Sequence, residues 1–171
     1  CAPMACRDRS ELEPMIGYFN NVVALRSDLS DDPDVQTVIR RLRQTIIGAL
    51  DHQNLPLQSL FEIHALARVP LTRGMCSYQA VSSRTLTLPG VQAEPVDIRK
   101  TEADFEIALY LESGAGGAIS GILEYDDGLF DAGTMETFAE NYQTVLQMMT
   151  ADTGRNLSAL PGFGIAPHDI E

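Results

Sequence analysis

Apolar residues recur along this chain at two different periods, and the change from one to the other lays out its elements. Val35, Val38, Ile39, Leu42, Ile46 and Leu50 fall at helical spacing on one face, with Arg40, Arg41, Arg43 and Gln44 opposite. Ahead of them Asp32-Pro33-Asp34 supplies a cap, a proline for the first helical position and a carboxylate for the positive end of the dipole. That helix is expected to stop near Asp51 or His52. Pro56 opens a second helix, with Leu57, Leu60, Phe61 and His64 on one face, and it ends before Arg68 because Pro70 forbids continuation. A third stripe, Met135, Phe138, Tyr142, Val145, Leu146 and Met149, follows Asp131, a fitting cap.

The other period is two. Gly17 to Leu29, around Val22, Val23, Ala24 and Leu25, reads as a strand buried on one side. Met75 to Ser82 alternates likewise, and Leu86 to Val91 does so more weakly. Phe105 to Glu112 and Ala118 to Tyr125 flank Ser113-Gly-Ala-Gly-Gly117, where glycine can supply the positive φ of a tight hairpin. The glycines lack the lysine and following helix of a phosphate-cradling loop, so a hairpin is the better reading. Ser10 to Glu13 is a short helical or turn segment, and Gln92 to Lys100 an exposed connection. From Thr150 onward, Asp152 to Asn156 and Pro161 to Gly164 read as linker or tail. Strands and helices mixed in this way predict an α/β two-layer sandwich, with the apolar stripes as its core.

Composition narrows the function. At 171 residues, 44% hydrophobic and 21% charged, the chain has the profile of a globular domain. No apolar run approaches the ~20 residues that span a bilayer, and no leader pattern opens the chain, so a cytoplasmic location is expected. A net charge of −12 argues against nucleic acid and anionic membranes as partners. Arg40, Arg41 and Arg43 read as the solvated face of a helix. Cys1, Cys6 and Cys76 have no paired spacing and His52, His64 and His168 are scattered, so no metal site is expected. Cys76, in an apolar run, reads as core filler.

Four motifs in a fixed order carry more. Ile16, Gly17, Phe19, Asn21 and Arg26 form the first. The second is His52, Gln53 and Pro56, and the third Arg68, Pro70, Leu71, Met75, Ser77 and Gln79. The last is Leu123-Glu124-Tyr125 with Leu129-Phe130-Asp131. In that order and spacing they resemble the closing motifs of condensation domains of nonribosomal peptide synthetases. The family patterns are I-G-x-F-V-N-T with a nearby arginine, H-Q-D-Y-P-F-E, N-P-L-F-Q-V-M-F-S-F-Q and L-E-Y-x-x-x-L-F-D. Pro3 to Arg7 is similar to the family's P-V-A-G-R, with Cys6 for its glycine. Asn20 and Val22 replace a valine and a threonine, and Asn54, Leu55, Leu57 and Gln58 depart from the second motif.

The resemblance implies a chloramphenicol-acetyltransferase-like fold of two α/β lobes with a tunnel between them. Residues 1–160 would be part of the C-terminal lobe and 161–171 a linker or tail. It implies amide bond formation between carrier-bound aminoacyl or peptidyl thioesters. The family's HHxxxDG motif does not occur in these 171 residues, so no catalytic residue is assigned here and the isolated segment is expected to be inactive. The segment would supply tunnel wall and scaffold. The implied partners are the N-terminal lobe, upstream and downstream peptidyl carrier domains and an adjacent adenylation domain. No cofactor would bind directly; the phosphopantetheine arms of the carriers would enter the tunnel.

Asn21 is the first candidate for the channel, because an amide both donates and accepts near a reacting amine or carbonyl. A strand-end amide satisfying backbone groups is the competing reading. Ser77 and Gln79 share a strand face and could meet the arm or a substrate amide, or make ordinary sheet-edge bonds. Gly17, Arg26, His52, Gln53, Pro56, Arg68 and Pro70 are expected to be structural. A non-catalytic carrier-binding or recruiting domain of the same fold, and an epimerization domain, remain as alternatives.

Overall fold

A computed structural model describes residues 1–63, 69–80, 89–91, 96 and 102–161. Its strands are β1 (Ala2–Met4), β2 (Asn21–Val23), β3 (Gly74–Gln79), β4 (Ile107–Ser113) and β5 (Ile119–Tyr125). Its helices are α1 (Val35–Asp51), α2 (Leu57–Phe61) and α3 (Ala132–Ala151). β3 runs parallel to β4, and β4 antiparallel to β5. β1 and β2 form a separate antiparallel pair, tied to β3 where Cys76 N donates to Cys1 O at 3.0 Å. The larger sheet has the order β3-β4-β5. This is the expected α/β sandwich.

The hairpin forms where glycine permits it. Gly116 and Gly117 adopt φ of 73° and 82°, left-handed values that a side chain would resist. Both long helices start on an aspartate cap: Asp34 accepts from Thr37 N at 2.7 Å and Asp131 from Thr134 N at 2.9 Å. Pro33 therefore precedes the cap and does not fill the first helical position, which Val35 takes. The C-terminal limit of α1, Asp51 with His52 as cap, is as its pattern predicts.

Other expectations are corrected. The strand read over Gly17 to Leu29 shrinks to Asn21–Val23, because the residues before it form a loop held by Arg7 and only these three pair with β1. Cys76 is exposed, since it lies on the sheet face opposite the buried Met75. The stripe of α1 is covered at one end only: Val35 and Val38 are buried, whereas Ile39, Ile46 and Leu50 are 53%, 40% and 44% exposed. On α3, Phe138 and Leu146 are likewise exposed, while Met135 is buried. The face of α3 turned to the core carries Val145, Met148 and Met149.

The stretch after α3 is part of the core and not a loose tail as far as Leu160. Leu157 and Leu160 close a cluster with Val35 and Val38, and Leu42, Val145, Met148 and Met149 pack against it. Val35 N donates to Arg155 O at 3.0 Å, Gln36 N to Thr153 O at 2.9 Å and Leu157 N to Pro33 O at 3.1 Å. These bonds satisfy donors at the open start of α1. His64, Arg68, the end of the Met75 to Ser82 strand at residues 81–82, half of the Leu86 to Val91 strand, most of the connection from Gln92 to Lys100 and the tail read beyond Pro161 lie outside the described residues.

Candidate functional site

The first two motifs meet in space, together with the Pro3 to Arg7 segment. Asn21 closes the first motif on β2, opposite Met4. Its amide Nδ2 donates to Gln53 O at 2.7 Å and to Leu55 O at 2.6 Å, both in the turn between α1 and α2. Cys6 Sγ donates to the same Gln53 O at 3.4 Å, and Asn54 Nδ2 to Asp8 Oδ2 at 3.0 Å. His52 places Nδ1 2.9 Å from Gly48 O, one turn back in α1. The junction is therefore a set of side-chain donors pinning backbone carbonyls, which leaves Asn21 only its oxygen for any other partner.

Arg7 holds the loop that leads into Asn21. Its guanidinium donates to the carbonyls of Leu12, of Met15 at 3.0 Å and of Gly17 at 3.5 Å. It also lies 4.3 Å from the centroid of the Phe19 ring, within cation–π range. Gly17 makes this possible, because a Cβ there would stand 3.0 Å from Phe19 Cε2. The side chains of Ile16 and Tyr18 then project outward, 104% and 88% exposed.

The second feature is an open groove of about 390 Å³ on the sheet. Ser77, Gln79, Tyr110, Glu112, Ser120 and Ile122 line it with Leu111 and Gly121. The register explains the grouping: Ser77 pairs with Tyr110 and Tyr110 with Ile122, while Gln79 pairs with Glu112 and Glu112 with Ser120, so these rows share a face. Burial falls along that face from Met75 and Ala108 to exposed Gln79. The sheet thus brings Ser77 and Gln79 together. Asn21, on the smaller sheet, is not among the groove's lining residues.

Electrostatics mark the helical side of the molecule. The Asp32 carboxyl is held below its usual range by the Ser158 backbone N–H, then by the Ser158 hydroxyl and Asn156. Those bonds measure 2.8, 2.8 and 3.2 Å. Asp34 and Asp131 are lowered by their bonds to Thr37 and Thr134. Arg41 forms a two-pronged pair with Asp31 at 2.7 Å, so part of the arginine cluster is already partnered. Burial raises the Tyr142 hydroxyl, and Cys76 raises it further.

Arg26 and Pro70 are exposed, and Thr45 Oγ1 donates to Arg26 O at 3.4 Å. Glu124 of the last motif keeps Oε1 buried, with no hydrogen-bond partner among the described residues. No group of three metal-ligating side chains occurs among the described residues, and no described helix is long and apolar enough to cross a membrane. Sequence reasoning passed over Arg7, Tyr110 and Glu112. Arg7 stood in a recognised segment without a role, and the strand register was the signal for the other two.

Comparison with known proteins matches this arrangement. The family model described as Condensation domain covers residues 2–161. Malpinin synthetase of Mortierella alpina is 35% identical over 161 residues, 92% of this chain and 2% of that protein. Chondramide synthase cmdD of Chondromyces crocatus is 32% identical over 157 residues, 90% of this chain and 4% of that protein. The chain therefore spans a few per cent of these relatives. Among solved structures, the complex of the X-domain and OxyB from teicoplanin biosynthesis matches with a TM-score of 0.74 and 27% identity. It aligns with 93% of this chain and 36% of that one. Holo-AB3403, a four-domain nonribosomal peptide synthetase bound to AMP and glycine, matches in fold with a TM-score of 0.78 at 22% identity. That likeness covers 91% of this chain and 13% of the other.

Proposed function

This chain belongs to the condensation domain family, and from that premise we propose that it forms part of the C-terminal lobe of a peptide-bond-forming domain in a nonribosomal peptide synthetase. In the reaction, the amine of a carrier-bound acceptor attacks the thioester carbonyl of a carrier-bound donor. A tetrahedral oxyanion forms, the C–S bond breaks, the donor's carrier thiol takes up a proton and the new amide stays on the acceptor's carrier. Much of the acceleration can come from holding two tethered reactants in one channel. The residues of this chain contribute wall and positioning groups to that channel.

The observation that carries this reading is the family match over residues 2–161 together with an open polar groove at the third motif. Ser77 and Gln79 offer a hydroxyl and an amide there, suited to the amides of a phosphopantetheine arm or of the substrate. Asn21 acts through the turn it pins, with its oxygen left to face a reacting group. The N-terminal lobe, two carrier domains and an adenylation domain are the partners, and the synthetase works in the cytoplasm. Residues 1–160 form the lobe segment and 161–171 a linker or tail.

The test is amide formation by the intact synthetase module from loaded donor and acceptor carriers. Product from the module and none from the 171-residue chain alone supports the reading. Product from the chain alone contradicts the assignment of scaffold. A second reading is a recruiting platform, favoured by the 27% identity to a domain solved in complex with OxyB. Tight capture of a separate protein by a module that forms no amide would favour it.

A further inference from the structure

We propose that Arg7 is a positioning residue for the condensation reaction, fixing the loop from Leu12 to Phe19 so that Asn21 and the turn it holds keep one geometry. The inference rests on the reading of this chain as a condensation-domain lobe. Arg7 is half-buried, and its planar fork meets the loop's carbonyls at three points: Leu12, Met15 and Gly17. Its flat face covers the Phe19 ring at 4.3 Å. No other side chain type combines several directed donors with a stacking surface. The loop's own backbone bond, Met15 N to Leu12 O at 3.2 Å, closes only its first turn, and Arg7 carries the bonding on to Gly17. Its apolar side chains at Met15, Ile16 and Tyr18 point outward at 50%, 104% and 88% exposure, so hydrophobic burial does not choose its conformation.

The effect of Arg7 reaches the junction through a short chain of contacts. The Arg7-stacked Phe19 lies two residues before Asn21, whose Nδ2 joins Gln53 O and Leu55 O. Cys6, next to Arg7, also donates to Gln53 O and holds a positive φ of 47°. A change at Arg7 therefore shifts the loop and the α1–α2 turn together. Catalysis by positioning is sensitive to such shifts, since a displacement of about 1 Å can cost on the order of 100-fold in rate.

The experiment compares wild type, Arg7→Lys and Phe19→Leu in the intact module, reading kcat and KM for amide formation, carrier loading and the melting temperature. Arg7→Lys keeps the charge but gathers its donors on one nitrogen, where Arg7 reaches Leu12 and Met15 from one nitrogen and Gly17 from the other; Phe19→Leu keeps those bonds and removes the stacking. We expect Arg7→Lys to lower kcat on the order of 10- to 100-fold, with KM and loading nearly unchanged and a melting temperature within a few degrees. Phe19→Leu is expected to lower kcat less. An unchanged kcat in Arg7→Lys overturns the proposal. So does a kcat lost only in proportion to folded protein, with Asn21→Ala adding its own full effect in the double variant. If wild type forms no amide, the functional reading fails instead, and the two failures are told apart.

Discussion

The helical layer and the sheet face of this molecule are held together in opposite ways. Around Val35, Val38, Leu157 and Leu160 the contacts are apolar and closed, and Val35 is fully buried. Around Asn21 and the groove the contacts are directed hydrogen bonds and open polar rows, with apolar residues such as Ile16, Tyr18, Ile119 and Ile122 left exposed. Hydrophobic burial supplies stability without direction, whereas side-chain bonds to carbonyls supply direction at a small net gain. The layer is thus suited to hold the lobe, and the junction and groove to place atoms. Substitutions should separate the two.

The largest expected effect on stability is in the closed layer. Leu157→Ala should destabilise the folded chain by about 3 kcal/mol, from lost transfer energy and a cavity beside Val35. Chemical denaturation measures it, and turnover of the folded module should stay near wild type. Second is Asn21→Ala, which strands two carbonyls and should cost about 1–2 kcal/mol. Unlike Leu157→Ala it should also lower kcat, on the order of tenfold. Equal kcat in the two variants would erase the distinction between the regions.

Smaller still is the effect of acid on the helical clamp. Asp32, Asp34 and Asp131 all titrate below the ordinary carboxyl range in the folded state. Their contribution is complete above the unfolded value of about 3.9 and is lost as pH falls through the depressed folded values. Helical signal followed by circular dichroism should therefore weaken below about pH 4, and Asp32→Asn should soften that dependence. A clamp as firm at pH 2 as at neutrality would contradict the roles given to these carboxylates.

How much of this was legible in the sequence follows from how local each feature is. The C-terminal limit of α1, the Asp131 cap of α3 and the β4–β5 hairpin rest on periodicity, a cap and glycines within a few residues, and they could be read directly. Gly17 to Asn20 could not: its alternation imitates a strand, but Arg7, ten positions before Gly17, bonds the loop carbonyls in place of a neighbouring strand. The segment from Asp152 to Leu160 is polar enough to pass for a linker. Its role depends on Asp32, 126 positions before Ser158, turning back at φ 46° to meet it. For the candidate site, the pairing of Ser77 with Gln79 followed from period two. Tyr110, Glu112, Ser120 and Ile122 required a register set by non-local pairing.

The central claim is that the open face of β3–β5 forms wall in a condensation channel. Filling it is the most direct test, by measuring amide formation in the intact module carrying Gln79→Trp. Gln79 is exposed and an aromatic residue suits a strand, so the fold should survive while the groove is occupied. The account predicts loss of amide product with carrier loading and melting temperature close to wild type. Undiminished product from a folded, loaded Gln79→Trp module would contradict it.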